Sequence, residues 1–160
     1  MIVADFGAGA GHFALEAARH ISSGGKVIAF DILEGPLSVL RRAAQEAHLY
    51  NIETIRTDLE RPDGSQLKDS SVDRVILANI LFETDQKETL IRAACRILKQ
   101  GGKIVIVEWV PESQSSLGPP HKTRLSKETI KNILSTFDCD VERELTLGAY
   151  HYGIVAKKEP

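Results

Sequence analysis

The chain has 160 residues, of which 42% are hydrophobic and 26% are charged, and its formal net charge is −2. This length and composition are typical of one folded domain and exclude global disorder. The near-neutral charge gives no electrostatic argument for binding to nucleic acid or to an anionic membrane. The apolar runs near residues 75 and 104 are too short to span a bilayer, so we expect no membrane span.

The cysteines and histidines indicate neither a disulfide framework nor a metal site. Cys95 and Cys139 lie outside any CxxC motif and away from histidines at ligand spacing, and the five histidines are scattered. We interpret the two cysteines as reduced, mostly buried thiols of a cytoplasmic protein without a metal. No secretory leader pattern is visible at the start of the sequence.

Strand-like and helix-like segments alternate in the first half of the chain. A strand is predicted at residues 2–6, followed by a glycine-rich turn and a helix at 11–22. A second strand at 26–31 ends in an acid, and Pro36 stands where a helix at 37–49 begins. A third strand follows at 51–57.

The alternation continues in the second half and then changes. After a polar loop at 58–71 we predict a strand at 72–81, a helix at 85–99 stopped by two glycines, and a strand at 103–110. The loop at 111–123 carries three prolines, and its composition suggests mobility. Ser126 is a good N-cap for a helix that ends near residue 137. Segments 139–147 and 150–157 flank a glycine-alanine pair, which predicts a hairpin.

One segment of the sequence has the pattern of a ligand-binding turn. Asp5, Gly7, Gly9 and Gly11 lie between the first strand and the first helix, and Asp31 ends the second strand twenty residues after Gly11. Glycines let the backbone approach a ligand closely, and the following helix presents free N–H groups. A carboxylate at Asp31 is placed to accept both hydroxyls of a ribose. We therefore predict a nucleoside-containing ligand.

The glycine pattern discriminates between nucleoside ligands. The dinucleotide fingerprint G-x-G-x-x-G requires glycine where this chain has His12, and the sequence reads D-x-G-x-G-x-G instead. An NAD(P)-dependent oxidoreductase therefore remains an alternative that His12 and Gly11 argue against. An acid two residues before the first glycine suits a cationic ligand better than a pyrophosphate.

These residues resemble the class I (Rossmann-like) S-adenosylmethionine-dependent methyltransferases. VADFGAGAGHFA at 3–14 looks like motif I of that family, and the other matching segments follow in order. They are AFDI at 29–32, RTDLE at 56–60, SVDRVILANILFE at 71–83 and LKQGGKIVIVEW at 98–109. The ending at 148–158 is similar to small-molecule members, such as quinone-pathway and arsenite methyltransferase relatives.

The resemblance implies a fold of class α/β. We expect a Rossmann-like three-layer sandwich around a seven-stranded sheet of order 3-2-1-4-5-7-6. The terminal hairpin makes the seventh strand antiparallel, because a two-residue connection cannot form a parallel crossover. Residues 1–160 form a single methyltransferase domain in this interpretation.

The resemblance also implies S-adenosyl-L-methionine as the cofactor and a role for individual residues. Gly7, Ala8 and Gly9 would pass beneath the methionine part, with Asp5 close by and Gly11 completing the turn. Asp31 would bind the ribose. Ile32, Asp58 and the backbone N–H of Leu59 would contact the adenine. Asn79 would lie near the sulfonium and the acceptor.

The acceptor and the catalytic residue stay open. Glu108, His12 and His151 are candidates for a general base, although a structural role is favoured for each. No basic face or NPPY-type motif indicates a nucleic-acid acceptor, and two distant cysteines disfavour arsenite, so we expect a small molecule.

Family members usually carry a segment before the first strand, which helps to cover the cofactor. We expect this chain to lack that segment and to bind the cofactor weakly alone. A non-catalytic cofactor-binding or partner-binding domain is therefore a second alternative.

Overall fold

The structure is a computed structural model that describes residues 1–113 and 115–159. The described residues form seven strands and four α-helices. The strands are β1 (Ile2–Phe6), β2 (Lys26–Asp31), β3 (Ile52–Arg56), β4 (Val72–Ala78), β5 (Leu98–Trp109), β6 (Cys139–Leu147) and β7 (His151–Lys158). The helices are α1 (His12–His20), α2 (Glu34–Glu46), α3 (Lys87–Ile97) and α4 (Lys127–Ser135).

All seven strands form one sheet of order β3-β2-β1-β4-β5-β7-β6. The pairs from β3 to β5 are parallel, whereas β7 is antiparallel to both β5 and β6. The predicted strand order and the antiparallel seventh strand are therefore confirmed. The carboxyl ends of the parallel strands meet at one rim of the sheet, which is where open α/β sheets bind ligands.

Helices cover both faces of the sheet, as near-continuous apolar strands require. On one face, Ala14, Ala18 and Leu40 of α1 and α2 pack in a cluster with Val3 and Val27 of the first two strands. The other face carries a larger cluster that includes α3 and α4. The members that those two helices contribute include Leu90, Ile91, Ala94, Ile97, Ile130 and Leu134.

The boundaries differ most from prediction where α3 meets β5. The predicted strand begins at residue 103, whereas β5 begins at Leu98 directly after α3. Its pairing with β4 shifts register between Val72 and Arg74, and Gly101 in the irregular segment has φ +72°. The two glycines that predict a helix end thus form a bulge inside the strand, which is a common use of glycine in strands.

Within residues 1–113 and 115–159, every helix falls short of the length and apolar character needed to cross a bilayer.

Candidate functional site

A cavity of about 520 Å³ lies at the carboxyl ends of the parallel strands. Seven of the ten predicted cofactor-binding residues line it: Gly7, Gly9, Asp31, Ile32, Asp58, Leu59 and Asn79. These residues follow four different strands, so the fold brings together residues that are up to 72 positions apart. Its walls also include residues that the sequence motifs do not assign to the cofactor: Leu33, Pro36, Thr57, Glu60, Ile80, Glu83, Thr84 and Leu90.

The glycine turn after β1 is hydrogen-bonded to the neighbouring strand β2. The backbone N–H groups of Gly7 and Ala8 both donate to the carbonyl oxygen of Phe30, at 2.9 and 2.8 Å. Gly7, Gly9 and Gly11 have φ values of +72°, +54° and +91°, which favour glycine. The turn is therefore fixed before any ligand binds.

The three glycines serve different purposes. A Cβ at Gly7 would lie 2.4 Å from the Cδ1 atom of Ile80, and a Cβ at Gly11 would lie 2.1 Å from the Cδ1 atom of Leu40. A Cβ at Gly9 would meet nothing within 4 Å. Gly7 and Gly11 thus permit close packing within the protein. Gly9 lines the cavity and has no protein atom within 4 Å of its Cβ position, so the space there stays open.

Asp31 links β2 to the glycine turn. Its Oδ2 atom accepts from the backbone N–H of Gly9 at 2.9 Å, and its Oδ1 atom accepts from that of Leu33 at 2.9 Å. These two bonds hold the carboxylate at the cavity wall. Each carboxylate oxygen can accept a further bond, so the group can still receive two ligand hydroxyls.

Asp5 lies in β1 just before the turn, with 2% of its surface exposed, and it is not among the residues that line the cavity. Burial raises the pKa of its carboxyl group to about 7, although the backbone N–H of Ala14 donates to the group and lowers the pKa, and the charge of Asp31 adds to the rise. Within residues 1–113 and 115–159, the Oδ2 atom of Asp5 has no hydrogen-bond partner. Asp5 therefore lies below the surface of the cavity.

Ala8 and Gly11 belong to the turn but also lie outside the lining of the cavity. Ala8 contributes its backbone N–H to Phe30 and its carbonyl oxygen to the N–H of Gly11. Gly11 is the N-cap of α1 in a left-handed conformation and, being glycine, brings no side chain of its own to cap the helix. Their place in the structure is to shape the turn that presents Gly9.

The segment after β3 contributes Thr57, Asp58, Leu59 and Glu60 to the cavity lining. Asp58 is partly exposed, and its Oδ1 atom accepts from the backbone N–H of Glu60 at 3.0 Å. Leu59 is 7% exposed, whereas Ile32 after β2 is 56% exposed. An apolar side chain that remains this exposed beside a carboxylate-lined cavity is available for contact with a flat ligand.

Asn79 follows β4 in a strained conformation, with φ +54°. Its backbone N–H donates to the carbonyl oxygen of Val107 at 2.8 Å, which continues the pairing with β5 by one residue. In the described part of the chain its buried Oδ1 atom has no hydrogen-bond partner. A non-glycine residue held in a left-handed conformation at a cavity is a common feature of functional sites.

The general-base candidates fall outside the cavity lining. His12 is exposed at the start of α1, and His151 stacks on Trp109 with ring centroids 4.1 Å apart. Burial lowers the pKa of His151. Glu108 is fully buried and binds the backbone of Leu81. The aromatic residues Tyr150, which is 42% exposed, and Trp109 also lie outside the cavity lining.

Arg124 contacts the described parts of the loop at 111–123, which are residues 111–113 and 115–123. Arg124 is 7% exposed and its guanidinium lies 5.7 Å from the ring centroid of Trp109. Its N–H groups donate to backbone carbonyl oxygens on both sides of the loop, those of Val110, Ser113, Ser115, Leu117 and Pro119. None of these described loop residues lines the cavity.

Comparison with known proteins agrees with this geometry. Residues 3–102 match the family described as "Methyltransferase domain". The chain is 28% identical over 117 residues to the ubiquinone/menaquinone biosynthesis C-methyltransferase UbiE of Azotobacter vinelandii, covering 72% of this chain and 45% of that protein. It is 32% identical over 108 residues to UbiE of Pseudomonas entomophila, covering 67% and 41%. The chain thus spans less than half the length of these curated relatives.

A solved structure extends the likeness over nearly the whole chain. The crystal structure of a SAM-dependent methyltransferase from Aquifex aeolicus superimposes with a TM-score of 0.87 at 25% identity, over 99% of this chain and 82% of that one. Between the two nucleoside cofactors considered from sequence, these findings favour S-adenosylmethionine over a nicotinamide dinucleotide. The chain belongs to the methyltransferase domain family, within the Rossmann-like S-adenosylmethionine-dependent methyltransferases.

Proposed function

We propose that this chain transfers the methyl group of S-adenosylmethionine to a small-molecule acceptor. The observation that carries the proposal is the open space at Gly9 beside the carboxylate of Asp31, within one cavity. A side chain at position 9 would fill the space that the backbone leaves for a ligand. The cavity volume of about 520 Å³ is in the range of pockets that hold ligands of this size.

The residues present fit the cofactor at each of its parts. Asp31 would bind the ribose hydroxyls, and Ile32 would lie against the adenine. Asp58 would accept from the adenine amino group while the backbone N–H of Leu59 donates to a ring nitrogen. The methionine part would pass over the turn formed by Gly7, Ala8, Gly9 and Gly11.

Asp5 and Asn79 would act at the charged end of the cofactor. The carboxyl group of Asp5 lies in the strand that leads into the turn, and the unpartnered oxygens of both side chains can interact with positive charge. S-adenosylmethionine carries an ammonium and a sulfonium group. Electron-rich oxygens near these groups favour binding of the cation over a neutral analogue.

The cofactor supplies an activated methyl group, and the protein contributes alignment and exclusion of water. The preformed turn and the Asp31 hydrogen bonds hold the site in one geometry. Because the reaction is an in-line displacement at carbon, the acceptor atom must approach from the side opposite the sulfur. The wall that contains Asn79, Ile80 and Glu83 is the proposed acceptor side, since it lies next to the place assigned to the sulfonium.

A small-molecule acceptor is supported by the relatives, whose names describe quinone-pathway C-methyltransferases. The described surface offers no separate argument for nucleic acid. We propose in addition that residues 1–160 form one methyltransferase domain.

Calorimetric titration with S-adenosylmethionine, and with NAD as the competing ligand, tests the cofactor. We expect binding of the first and none of the second. The Asp31→Ala variant should bind S-adenosylmethionine more weakly by about 2 kcal/mol, roughly thirtyfold in Kd, because hydrogen bonds to a charged acceptor are the stronger kind. Asp140→Ala, which removes an exposed acid on β6, is the matched control and should leave Kd unchanged.

Methyl transfer itself is tested with radiolabelled S-adenosylmethionine and a panel of small phenolic, quinol and thiol acceptors. Incorporation that depends on Asp31 supports the proposal. Cofactor binding without incorporation into any acceptor would instead support the alternative of a cofactor-binding domain. Equal affinity of the Asp31→Ala variant and the wild type would contradict the assigned site.

A further inference from the structure

The buried carboxylate of Glu108 has no role in the proposed function. Glu108 lies near the end of β5 with 0% of its surface exposed. It is on the same face of the sheet as Ile106, within the larger apolar cluster. Burying a carboxylate in such surroundings is unfavourable unless hydrogen bonds compensate for the lost water. A specific contact must therefore hold the group there.

That contact is with the segment that follows β4. The Oε1 atom of Glu108 accepts from the backbone N–H of Leu81 at 2.8 Å. Burial raises the pKa of the carboxyl group to about 7, against the backbone N–H groups of Leu81, Trp109, Ile80 and Phe82, which stabilise the charged form. Of these four groups the N–H of Leu81 makes the hydrogen bond, and it belongs to a run of three consecutive residues after β4, Ile80, Leu81 and Phe82, whose N–H groups all favour the charged form.

These donors are the free N–H groups at the start of a short 3₁₀ helix, Leu81–Glu83. The N-cap of this helix is Ile80, and no side chain of the segment caps it. Glu108 is 27 residues away in sequence and provides from the neighbouring strand the acceptor that the segment itself lacks. The segment after β4 is thus held in place by β5.

The same segment forms one wall of the cavity. Asn79, Ile80 and Glu83 all line it. The side chain of Ile80 occupies the space that a Cβ at Gly7 would need, with its Cδ1 atom 2.4 Å from that position. The segment anchored by Glu108 therefore packs directly on the glycine turn. Any shift of residues 80–82 moves both the Asn79 side and the Gly7 side of the cavity.

We propose that Glu108 is a positioning residue: its carboxylate holds the backbone at 80–82 against the glycine turn and thereby sets the affinity for the cofactor and the alignment of the acceptor. This inference rests on the proposed function, since it assumes that the cavity binds S-adenosylmethionine. It differs from the role of a general base, because Glu108 acts through its hydrogen bond with the backbone N–H of Leu81 and touches no reacting atom.

Two substitutions separate these roles. Glu108→Gln keeps an oxygen that accepts from the N–H of Leu81, whereas Glu108→Ala removes the acceptor and leaves the N–H groups buried without it. We expect Kd for S-adenosylmethionine to rise at least tenfold in Glu108→Ala and to stay within threefold of the wild type in Glu108→Gln. A matching rescue of KM and kcat in Glu108→Gln is expected if methyl transfer is observed.

A core variant on the same strand controls for loss of stability. Ile106→Val removes one methyl group from a residue that is also 0% exposed and lies on the same face two positions earlier. This variant should lower Tm and leave Kd unchanged. Cofactor affinity that falls equally in Ile106→Val and Glu108→Ala would show that Glu108 acts only through stability and would overturn the proposal.

Amide hydrogen exchange on the protein without cofactor tests the anchor independently of the proposed function. Exchange at Leu81 should accelerate by at least tenfold in Glu108→Ala and much less in Glu108→Gln, with exchange in α1 unchanged. If the wild type fails to bind S-adenosylmethionine while this pattern is seen, the proposed function fails and the anchoring role stands. Unchanged exchange at Leu81, or a Glu108→Gln variant with normal Kd and abolished kcat, would overturn the proposal.

Discussion

The two sides of the cavity are built in different ways. The glycine turn and Asp31 come from neighbouring strands close to the start of the chain, and the hydrogen bonds between these strands' ends join residues 22 or 23 positions apart. The opposite side, around Asn79 and Ile80, is held by Glu108 and by pairing with β5. One side therefore depends on local backbone conformation, and the other depends on tertiary contacts between side chain and backbone.

The largest expected effect tests the side of the cavity that is formed by the glycine turn and Asp31, which we call the local side; the side around Asn79 and Ile80 is the tertiary side. Gly11→Ala should lower the free energy of unfolding by about 3 kcal/mol or more, because φ is +91° and the new Cβ would lie 2.1 Å from the Cδ1 atom of the fully buried Leu40. Gly9→Ala should cost only about 1–2 kcal/mol, since its φ is +54° and its surroundings are open. Urea denaturation measures both.

Cofactor affinity should rank these two variants in the opposite order. Gly9→Ala places a methyl group in the open space at the cavity and should weaken S-adenosylmethionine binding more than folded Gly11→Ala does, since Gly11 shapes the turn but does not line the cavity. Gly24→Ala is the matched control, since Gly24 has φ +86° and open surroundings in a turn away from the cavity. Equal affinity of the Gly9 and Gly24 variants would contradict a ligand-facing role for Gly9.

The pH dependence of Asp5 gives the next effect. The folded-state pKa of Asp5 is raised to about 7 from an ordinary value of 3.8, so its contribution to stability is fully present below pH 4 and is lost as the pH rises through 7. The Asp5→Asn variant has no titrating group at this position, so it does not lose stability for this reason as the pH rises. The variant should therefore gain about 2–3 kcal/mol of stability relative to the wild type between pH 5 and pH 8.

Chemical denaturation of both proteins at several pH values checks this prediction. Glu108 also has a pKa raised to about 7, but it is present in both proteins, so its contribution cancels in the difference. A difference in unfolding free energy that does not change between pH 5 and pH 8 would show that Asp5 titrates near its ordinary pKa.

The sequence predicted the local side almost completely. The strands at 2–6 and 26–31 were predicted with their observed bounds, because short apolar runs end at glycine and at an acid. The strand order and the antiparallel β7 were also predicted, from the resemblance and from the hairpin at Gly148. Seven of the ten residues selected for the cofactor line one cavity. Motif spacing carries such information since the contacts are local.

The tertiary side was predicted less well. Glu108 was recognised only as a candidate base, because nothing in its neighbours indicates that the N–H of Leu81 lies 2.8 Å away. Ile80 and Thr84 look like ordinary residues after a strand, and their position in the cavity depends on that anchor. Arg124 donates to backbone carbonyl oxygens up to 14 positions earlier in the chain, and composition alone does not reveal such contacts.

Arg124 provides a smaller effect on the tertiary side. Arg124→Lys keeps the charge but replaces a planar group with five N–H donors by an ammonium with three. We expect a loss of about 1–2 kcal/mol in unfolding free energy and faster hydrogen exchange in the loop. Arg143→Lys, at an exposed position on β6, should change neither. A loop that exchanges equally fast in both variants would show that Arg124 does not order it.

The smallest expected effect concerns a contact across the fold that sequence spacing did not predict. Cys95 in α3 and Cys139 at the start of β6 are both buried free thiols, as expected, but their Sγ atoms lie 2.8 Å apart. The hydrogen bond with Cys139 and burial both raise the pKa of Cys95, so this group stays a thiol at neutral pH. The pair joins a helix to a strand over 44 residues.

A double-mutant cycle measures this contact. Cys95→Ala and Cys139→Ala should each lower the unfolding free energy, and the double variant should lose less than the sum by about 0.5–1 kcal/mol, because the second substitution finds the hydrogen bond already absent. A thiol is a weak donor, which keeps this coupling small. In the native wild type, both thiols should react with iodoacetamide only after local unfolding. Additive losses together with rapid alkylation of either thiol would show that the pair is neither coupled nor protected, and that the two elements are held by apolar packing alone.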